Sequence, residues 1–485
     1  MNYISTRTPE SEKYSASYVI KTGLAHDGGL FVPESIPSLS ESDIKKLAEM
    51  DYISRAQYIL SLFLTDYSEP ELLEAAKAAY SAEKFGGPAA PIAKVGGDYF
   101  LELWHGPTSA FKDMALQIMP RLLSLSLGKT GETKDAYILV ATSGDTGKAA
   151  LEGYCDVDRV RIQVFYPVNG VSNIQKKQMA SQKGNNVNVV AIKGNFDDAQ
   201  SGVKAIFADE SAKKQLEENG LFFSSANSIN WGRLAPQIVY YVSAYCDLLK
   251  EGELSCGELL DVTVPTGNFG NILAAYIAKR MGLPLGKLVC ASNKNDILTD
   301  FINDGVYDKR REFFTTVSPS MDILISSNLE RLLWFAVGAE KTRECMEKLN
   351  KDGVYSLDDE AMARIREDFA GYSCSEEETK QTIKNLFAEC GYLCDTHTAV
   401  AAFAANKYKK ESKNKMLVVS TASPYKFAPA VLSALGEEVP ADDFDALDKL
   451  FEVTKCAIPK NLASLREAEV RFTKTIEPKD MRNSL

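Results

Sequence analysis

The stretch VPTGNFGNILAAYIAKRMG, residues 264–282, passes from a β-type run through a glycine-rich turn into helical spacing. The strand-like part ends at Thr266. Gly267-Asn268-Phe269-Gly270-Asn271 makes the turn, and from Ile272 apolar residues recur at helical intervals. Two glycines let backbone come close to a ligand, and the first turn of a helix leaves N–H groups unpaired. With the helix dipole these make a cup for a phosphate that needs no lysine. The same turn also serves as a plain strand–helix connection. Its spacing does not match G-x-G-x-x-G, so a dinucleotide is not indicated.

Outward from this stretch the same alternation repeats. YFLEL (99–103), AYILVAT (136–142), RIQVFYP (161–167), VNVVAIK (187–193), LFFSSAN (221–227), KLVCAS (287–292) and KMLVVST (415–421) are rich in β-branched and aromatic residues, and helical segments follow most of them. Strand–helix alternation predicts an α/β fold with parallel sheets and flanking helices. Residues 1–93 read differently, with helical patterns around the turn-rich GLAHDGGLFVPESIP, and are expected to form an N-terminal accessory domain. A catalytic region is expected over 94–440, with 131–229 as a smaller mobile α/β subdomain and a helical insertion at about 295–395. A helical tail is expected over 441–485.

A second polar turn, Ser143-Gly144-Asp145-Thr146-Gly147, again joins a β-type run to a helix. Its hydroxyls and N–H groups suit an anion, and Asp145 or Thr146 also suits an N-cap. Gly147-Lys148 is not a P-loop, because Ala149 stands where Ser or Thr is required. The third turn lies in LELWHGPTSAFKDMALQIMPRLL, residues 101–123, where a helix is expected to begin near Phe111 with Lys112 in its first turn. The helix dipole and apolar neighbours both disfavour a cation there. They push Lys112 toward the neutral amine, which attacks an aldehyde to form a Schiff base. His105-Gly106-Pro107-Thr108 beside it sharpens the case.

The bulk properties exclude more than they assign. A net charge of −11 argues against a broad nucleic-acid footprint or an anionic membrane surface. Nine scattered cysteines fit free thiols in a reducing cytoplasm. No signal peptide or membrane-length apolar run is evident. The chain has 3 histidines, which rules out a histidine-rich metal site. Cys390-x3-Cys394-x2-His397, with Cys374 upstream, fits no standard zinc spacing and reads as structural. No metal is expected.

HGPTSAFKDMAL, ATSGDTGKAA, SINWGRLAPQ, VPTGNFGNILAAY and STASPYKFAPA, with GLAHDGGLFVPESIP, resemble the long form of the threonine synthase family, in that family's order and over nearly the whole chain. The resemblance implies pyridoxal 5′-phosphate as cofactor, on fold type II (tryptophan-synthase β-like). It also implies conversion of O-phospho-L-homoserine and water to L-threonine and phosphate, the last step of threonine biosynthesis, by a cytoplasmic monomer or homodimer. By the same resemblance Lys112 would bond the cofactor and act as base, and Gly267 through Asn271 would cradle the cofactor phosphate. Thr421 would face the ring nitrogen. Ser143, Asp145 and Thr146 would lie near the substrate carboxylate, Asn230 and Arg233 near its phosphate, and His105 and Thr108 at the substrate. Two positions depart from the pattern: many relatives of the wider fold have Asn where Asp145 stands, and His is common in the family where Ser423 stands. The alternative reading is a phospholyase of similar sequence, giving 2-oxobutyrate, ammonia and phosphate. A β-replacement enzyme and a non-enzymatic α/β binding protein are the more distant alternatives.

Overall fold

The computed structural model describes residues 1–8, 12–142 and 144–485. Two parallel sheets organise the chain, as the alternation predicts. The larger has six strands in the order Phe369–Ser373, Leu285–Ser292, Leu260–Pro265, Lys415–Ser420, Asp98–Glu102 and Ile92–Val95. Its pairs are parallel except the last, which is an antiparallel hairpin at the edge. The smaller sheet runs Thr475–Ile476, Val187–Ile192, Val160–Pro167, Asp135–Ala141 and Leu221–Ser224, parallel throughout.

Central strands covered by helices on both faces lose the alternating pattern and become continuous apolar runs. Leu260–Pro265 is buried at every position. The helix Trp231–Lys250 is buried along nearly its whole length, because it packs against both the N-terminal helix Tyr52–Phe63 and the helix Gly270–Arg280. It is the wall between the N-terminal helices and the larger sheet.

Three local expectations change. The helix after the HGPT turn starts at Asp113 and has 4 residues, so Lys112 is its N-cap rather than part of its first turn. A helix that short has little macrodipole to act on the amine. Within 295–395, Phe369–Ser373 is a strand at the edge of the larger sheet, and Val306–Asp308 pairs with Val354–Ser356. The C-terminal stretch has the helices Asp443–Thr454 and Lys460–Ala463, and its Thr475–Ile476 strand then completes the smaller sheet. A two-residue strand is too short for any period to reveal. Among the described residues, no helix is long and apolar enough to cross a membrane.

Candidate active site

The polar turns meet at the carboxyl ends of the strands, where open parallel sheets bind ligands. The HGPT turn and the segment after Lys415–Ser420 are stitched together by backbone. Phe111 N donates to Thr421 O at 2.8 Å, and Ser423 N donates to Ser109 O at 3.1 Å. Within the turn, the Thr108 N–H and hydroxyl donate to Asp113 at 2.8 and 2.9 Å. Ser109 takes φ +57°. A Cβ on Gly106 would lie 2.5 Å from Asp113 Oδ2, so only glycine allows the carboxylate to fold back under the turn. Burial pushes the Asp113 carboxyl up to about 7.

This turn presents Lys112, whose side chain is 11 % exposed. Its Nζ lies 3.4 Å from Ser320 Oγ, 3.8 Å from Asp145 Oδ2, and 5.2 Å from the centre of the Phe111 ring. Burial pushes its ammonium down to about 8; Asp145 pulls the other way, while Lys426 and Arg233 add to the lowering. The amine is therefore held toward neutrality, by burial and neighbouring cations rather than by a dipole.

Asp145 opens the helix Asp145–Tyr154 and sits between two lysines. Its Oδ1 accepts from Lys426 Nζ at 2.5 Å and from Gln175 Nε2 at 2.8 Å. Burial alone would raise this carboxyl, but Lys426 and Lys112 outweigh it and hold the group well below the usual carboxylate range. The Lys426 side chain is fully buried and also donates to Thr108 O at 3.1 Å.

On the other side of Lys112, Ser320 joins it to the glycine loop. A Cβ on Gly267 would stand 2.7 Å from Ser320 O, closer than real Cβ contacts allow. Ser320 N in turn donates to His397 Nε2 at 3.1 Å, and His397 Nδ1 faces Asp395 Oδ2 at 2.7 Å. With Nε2 accepting from Ser320 N and Nδ1 turned to Asp395, both ring nitrogens are engaged within the protein, and the imidazole pins the Ser320 turn. Beyond the loop, the helix Gly270–Arg280 begins after Phe269, which takes φ +61°. Among the described residues, none of the N–H groups from Gly267 to Asn271 has an acceptor. Asn271 Oδ1 accepts from the Tyr240 and Tyr241 hydroxyls at 2.5 Å each, which leaves its buried Nδ2 with no partner. Unpaired N–H groups at a helix start and an orphaned amide donor fit a phosphate. Thr421 is buried, and its hydroxyl makes no hydrogen bond to a described residue.

The remaining sequence candidates fall into two groups. Arg233 is buried, donates to Ala226 O at 2.8 Å, is pushed down to about 10 by burial, and lies close enough to act on Lys112. Thr146 is half-buried with its hydroxyl free among the described residues. His105, Thr108 and Asn230 are already committed. His105 Nε2 is 2.7 Å from Glu102 and its ring stacks on Trp104, while the Thr108 hydroxyl belongs to Asp113. Asn230 caps the helix Trp231–Lys250 through Gly232 N and donates to Ile20 O at 2.8 Å. Ser143 lies outside the described residues. Sequence reasoning missed Lys426, Gln175, Asp113 and Ser320. A lysine inside the apolar SPYKFAPA was a signal for the first; nothing in the spacing pointed to Ser320.

A desolvated lysine with a lowered ammonium pKa, beside a loop whose free N–H groups fit a phosphate at the ends of parallel strands, defines an enzyme that holds a phosphorylated aldehyde. Family profiles agree along the chain. "Threonine synthase N terminus" matches residues 2–80, "Pyridoxal-phosphate dependent enzyme" residues 89–423, and "Threonine synthase, C-terminal" residues 398–482. Threonine synthase of Pseudomonas aeruginosa is 38% identical over 98% of this chain and 95% of its own length. The human protein named Threonine synthase-like 1 is 41% identical over 89% of this chain, and the match spans 60% of the human protein's length. The solved structure of PLP-bound threonine synthase from Brucella melitensis covers 100% of this chain and is itself covered over 98%, with TM-score 0.89 at 36% identity. The yeast threonine synthase structure gives TM-score 0.90 at 33% identity, covering 100% of this chain and 97% of its own. The chain belongs to the threonine synthase family of pyridoxal-phosphate-dependent enzymes.

The cradle is directly testable at Gly267. Gly267→Ala forces a Cβ against Ser320 O and must displace either the loop or the Ser320 turn. Overpacking of this kind costs about 1–3 kcal/mol, so cofactor affinity is expected to fall roughly tenfold or more by titration. Wild-type affinity in the variant would remove the loop from the cofactor site.

Proposed function

We propose that this protein is a threonine synthase, acting in the cytoplasm on O-phospho-L-homoserine to give L-threonine and phosphate. The observation that carries the reading is the charge of the pocket. Lys112 and Lys426 flank a single strongly ionised carboxylate, Asp145, and Arg233 lies close enough to act on Lys112, which leaves cationic surplus for an anionic substrate. When bound, pyridoxal phosphate supplies an aldehyde and an electron-withdrawing ring that stabilises negative charge at the substrate's Cα and Cβ.

The chain's own residues account for the rest. N–H groups of Gly267 through Asn271, with Asn271 Nδ2, bind the cofactor phosphate. The Thr421 hydroxyl would be the group offered to the ring nitrogen, and it would not fix a proton there, because a hydroxyl is a far weaker base than a carboxylate. With the cofactor bound, Lys112 Nζ would hold its aldehyde, and the same amine, its ammonium lowered to about 8 by burial, would serve as the base that takes the proton from the substrate's Cα and moves that from Cβ. Arg233 attracts the anionic groups of the substrate, and Thr146 has a hydroxyl to offer. Several proton transfers through one Nζ require the substrate to be held in a fixed orientation.

Product balance tests the proposal. Threonine and phosphate released in equal amounts from O-phospho-L-homoserine are expected. The second reading is a phospholyase of similar sequence, and 2-oxobutyrate with ammonia in place of threonine would establish that activity instead. Release of neither product would overturn both.

A further inference from the structure

We propose that Lys426 is a positioning residue for the proton chemistry of Lys112, acting through Asp145, whose carboxylate it holds in a buried ion pair shared between the two ammonium groups. The inference rests on Lys112 being the working base, and it adds a residue and a means of control to that reading.

The geometry is specific. Lys426 lies in the turn Pro424–Phe427, immediately after the segment that presents Thr421. Its Nζ is inaccessible to solvent and has two partners, Asp145 Oδ1 at 2.5 Å and Thr108 O at 3.1 Å. It therefore joins the larger sheet to the first turn of the helix that follows the smaller sheet's Asp135–Ala141 strand, and to the HGPT turn. Gln175 Nε2 donates to the same Oδ1, so that oxygen has two donors, while Oδ2 is turned toward Lys112 at 3.8 Å. The carboxylate is thereby engaged on the side away from Lys112. The groups that face Lys112 Nζ are Asp145, Lys426 and Arg233 from three other segments, with Asp113 on its own and Ser320 as an uncharged neighbour.

The consequence has a definite sign. An opposite charge nearby favours the charged form of an amine, and a like charge disfavours it. With Lys426 in place, the ionised Asp145 has its charge largely offset by an ammonium, and the charge of Lys426 repels a proton on Lys112. Without it, a buried carboxylate has only Lys112 to pair with, and the base is held protonated.

The test reads Lys112 itself. In the full-length cofactor-free protein, trace acylation of Lys112 across pH, followed by mass spectrometry of its peptide, gives the midpoint at which its amine becomes neutral. K426M is expected to raise that midpoint by about 1 pH unit or more, and to move the acid limb of kcat/KM in the holoenzyme in the same direction. K426R should restore both toward wild type. K426M/D145N, which removes both charges and cannot strand a buried carboxylate, should return the midpoint to the wild-type value or below. An unmoved midpoint in K426M, or a double variant as high as K426M, overturns the proposal. Thermal unfolding of each variant confirms that folded protein is compared. Because acylation needs neither substrate nor turnover, it separates failure of this inference from failure of the synthase reading.

Discussion

Lys112→Ala is expected to abolish threonine and phosphate release, with a loss of at least about 10³-fold, while leaving the fold intact. A positioned proton-transfer group alone contributes roughly 10²–10⁴-fold, and on the proposed reading one amine both anchors the cofactor and moves protons. The fold should tolerate the change because Nζ is weakly held. Its polar neighbours are Ser320 Oγ at 3.4 Å and Asp145 Oδ2 at 3.8 Å, and Asp145 keeps its closer partner Lys426. Loss of a desolvated ammonium removes a cost as well as a contact. Product assay beside thermal unfolding separates the two effects. Retained turnover in Lys112→Ala would overturn the assignment of the base; a collapsed fold would instead show that Lys112 has a structural role that these distances do not account for.

Local chemistry was legible in the sequence, and chemistry assembled across the fold was not. The glycine loop of residues 267–271 could be read because strand, turn and helix follow one another within about a dozen residues. Lys112 was found for a partly mistaken reason. Its helix has 4 residues and little dipole, and burial with Lys426 and Arg233 does the lowering. Lys426 stands 314 residues from Lys112 and Ser320 stands 208 away, distances across which no periodicity operates. Asn230 misled for the opposite reason. An asparagine beside an arginine looks free to bind a ligand, yet the position before a helix is where an amide caps, and its other end was taken by Ile20 from the N-terminal region. Buried polar groups are the hardest to assign from sequence, because the sequence names the donor but not the distant carbonyl that uses it.

The same principle gives the largest expected effect on stability, at Arg331→Leu. This guanidinium is completely buried, and burial pushes it down to about 9, yet it makes no ion pair with a described residue. Instead Nε donates to Phe31 O at 2.9 Å, Nη1 to Asn328 Oδ1 at 2.5 Å and Nη2 to Ile229 O at 2.5 Å. Those acceptors come from the N-terminal sheet, from the turn before the helix Trp231–Lys250, and from the residue that holds the phosphate loop. Asn328 donates to Asn268 O from its backbone N–H at 3.1 Å and from Nδ2 at 2.9 Å. Leucine fills part of the space and strands two buried acceptors and a part-buried one, each buried acceptor costing about 1–3 kcal/mol. A total loss on the order of 3–5 kcal/mol in denaturant unfolding is expected, and cofactor retention should fall with it because Asn328 no longer has a fixed orientation. Arg331→Lys can satisfy fewer of the three and should lie between. A loss under about 1 kcal/mol for the leucine variant would mean that the acceptors find other donors, and that the N-terminal region does not brace the cofactor site.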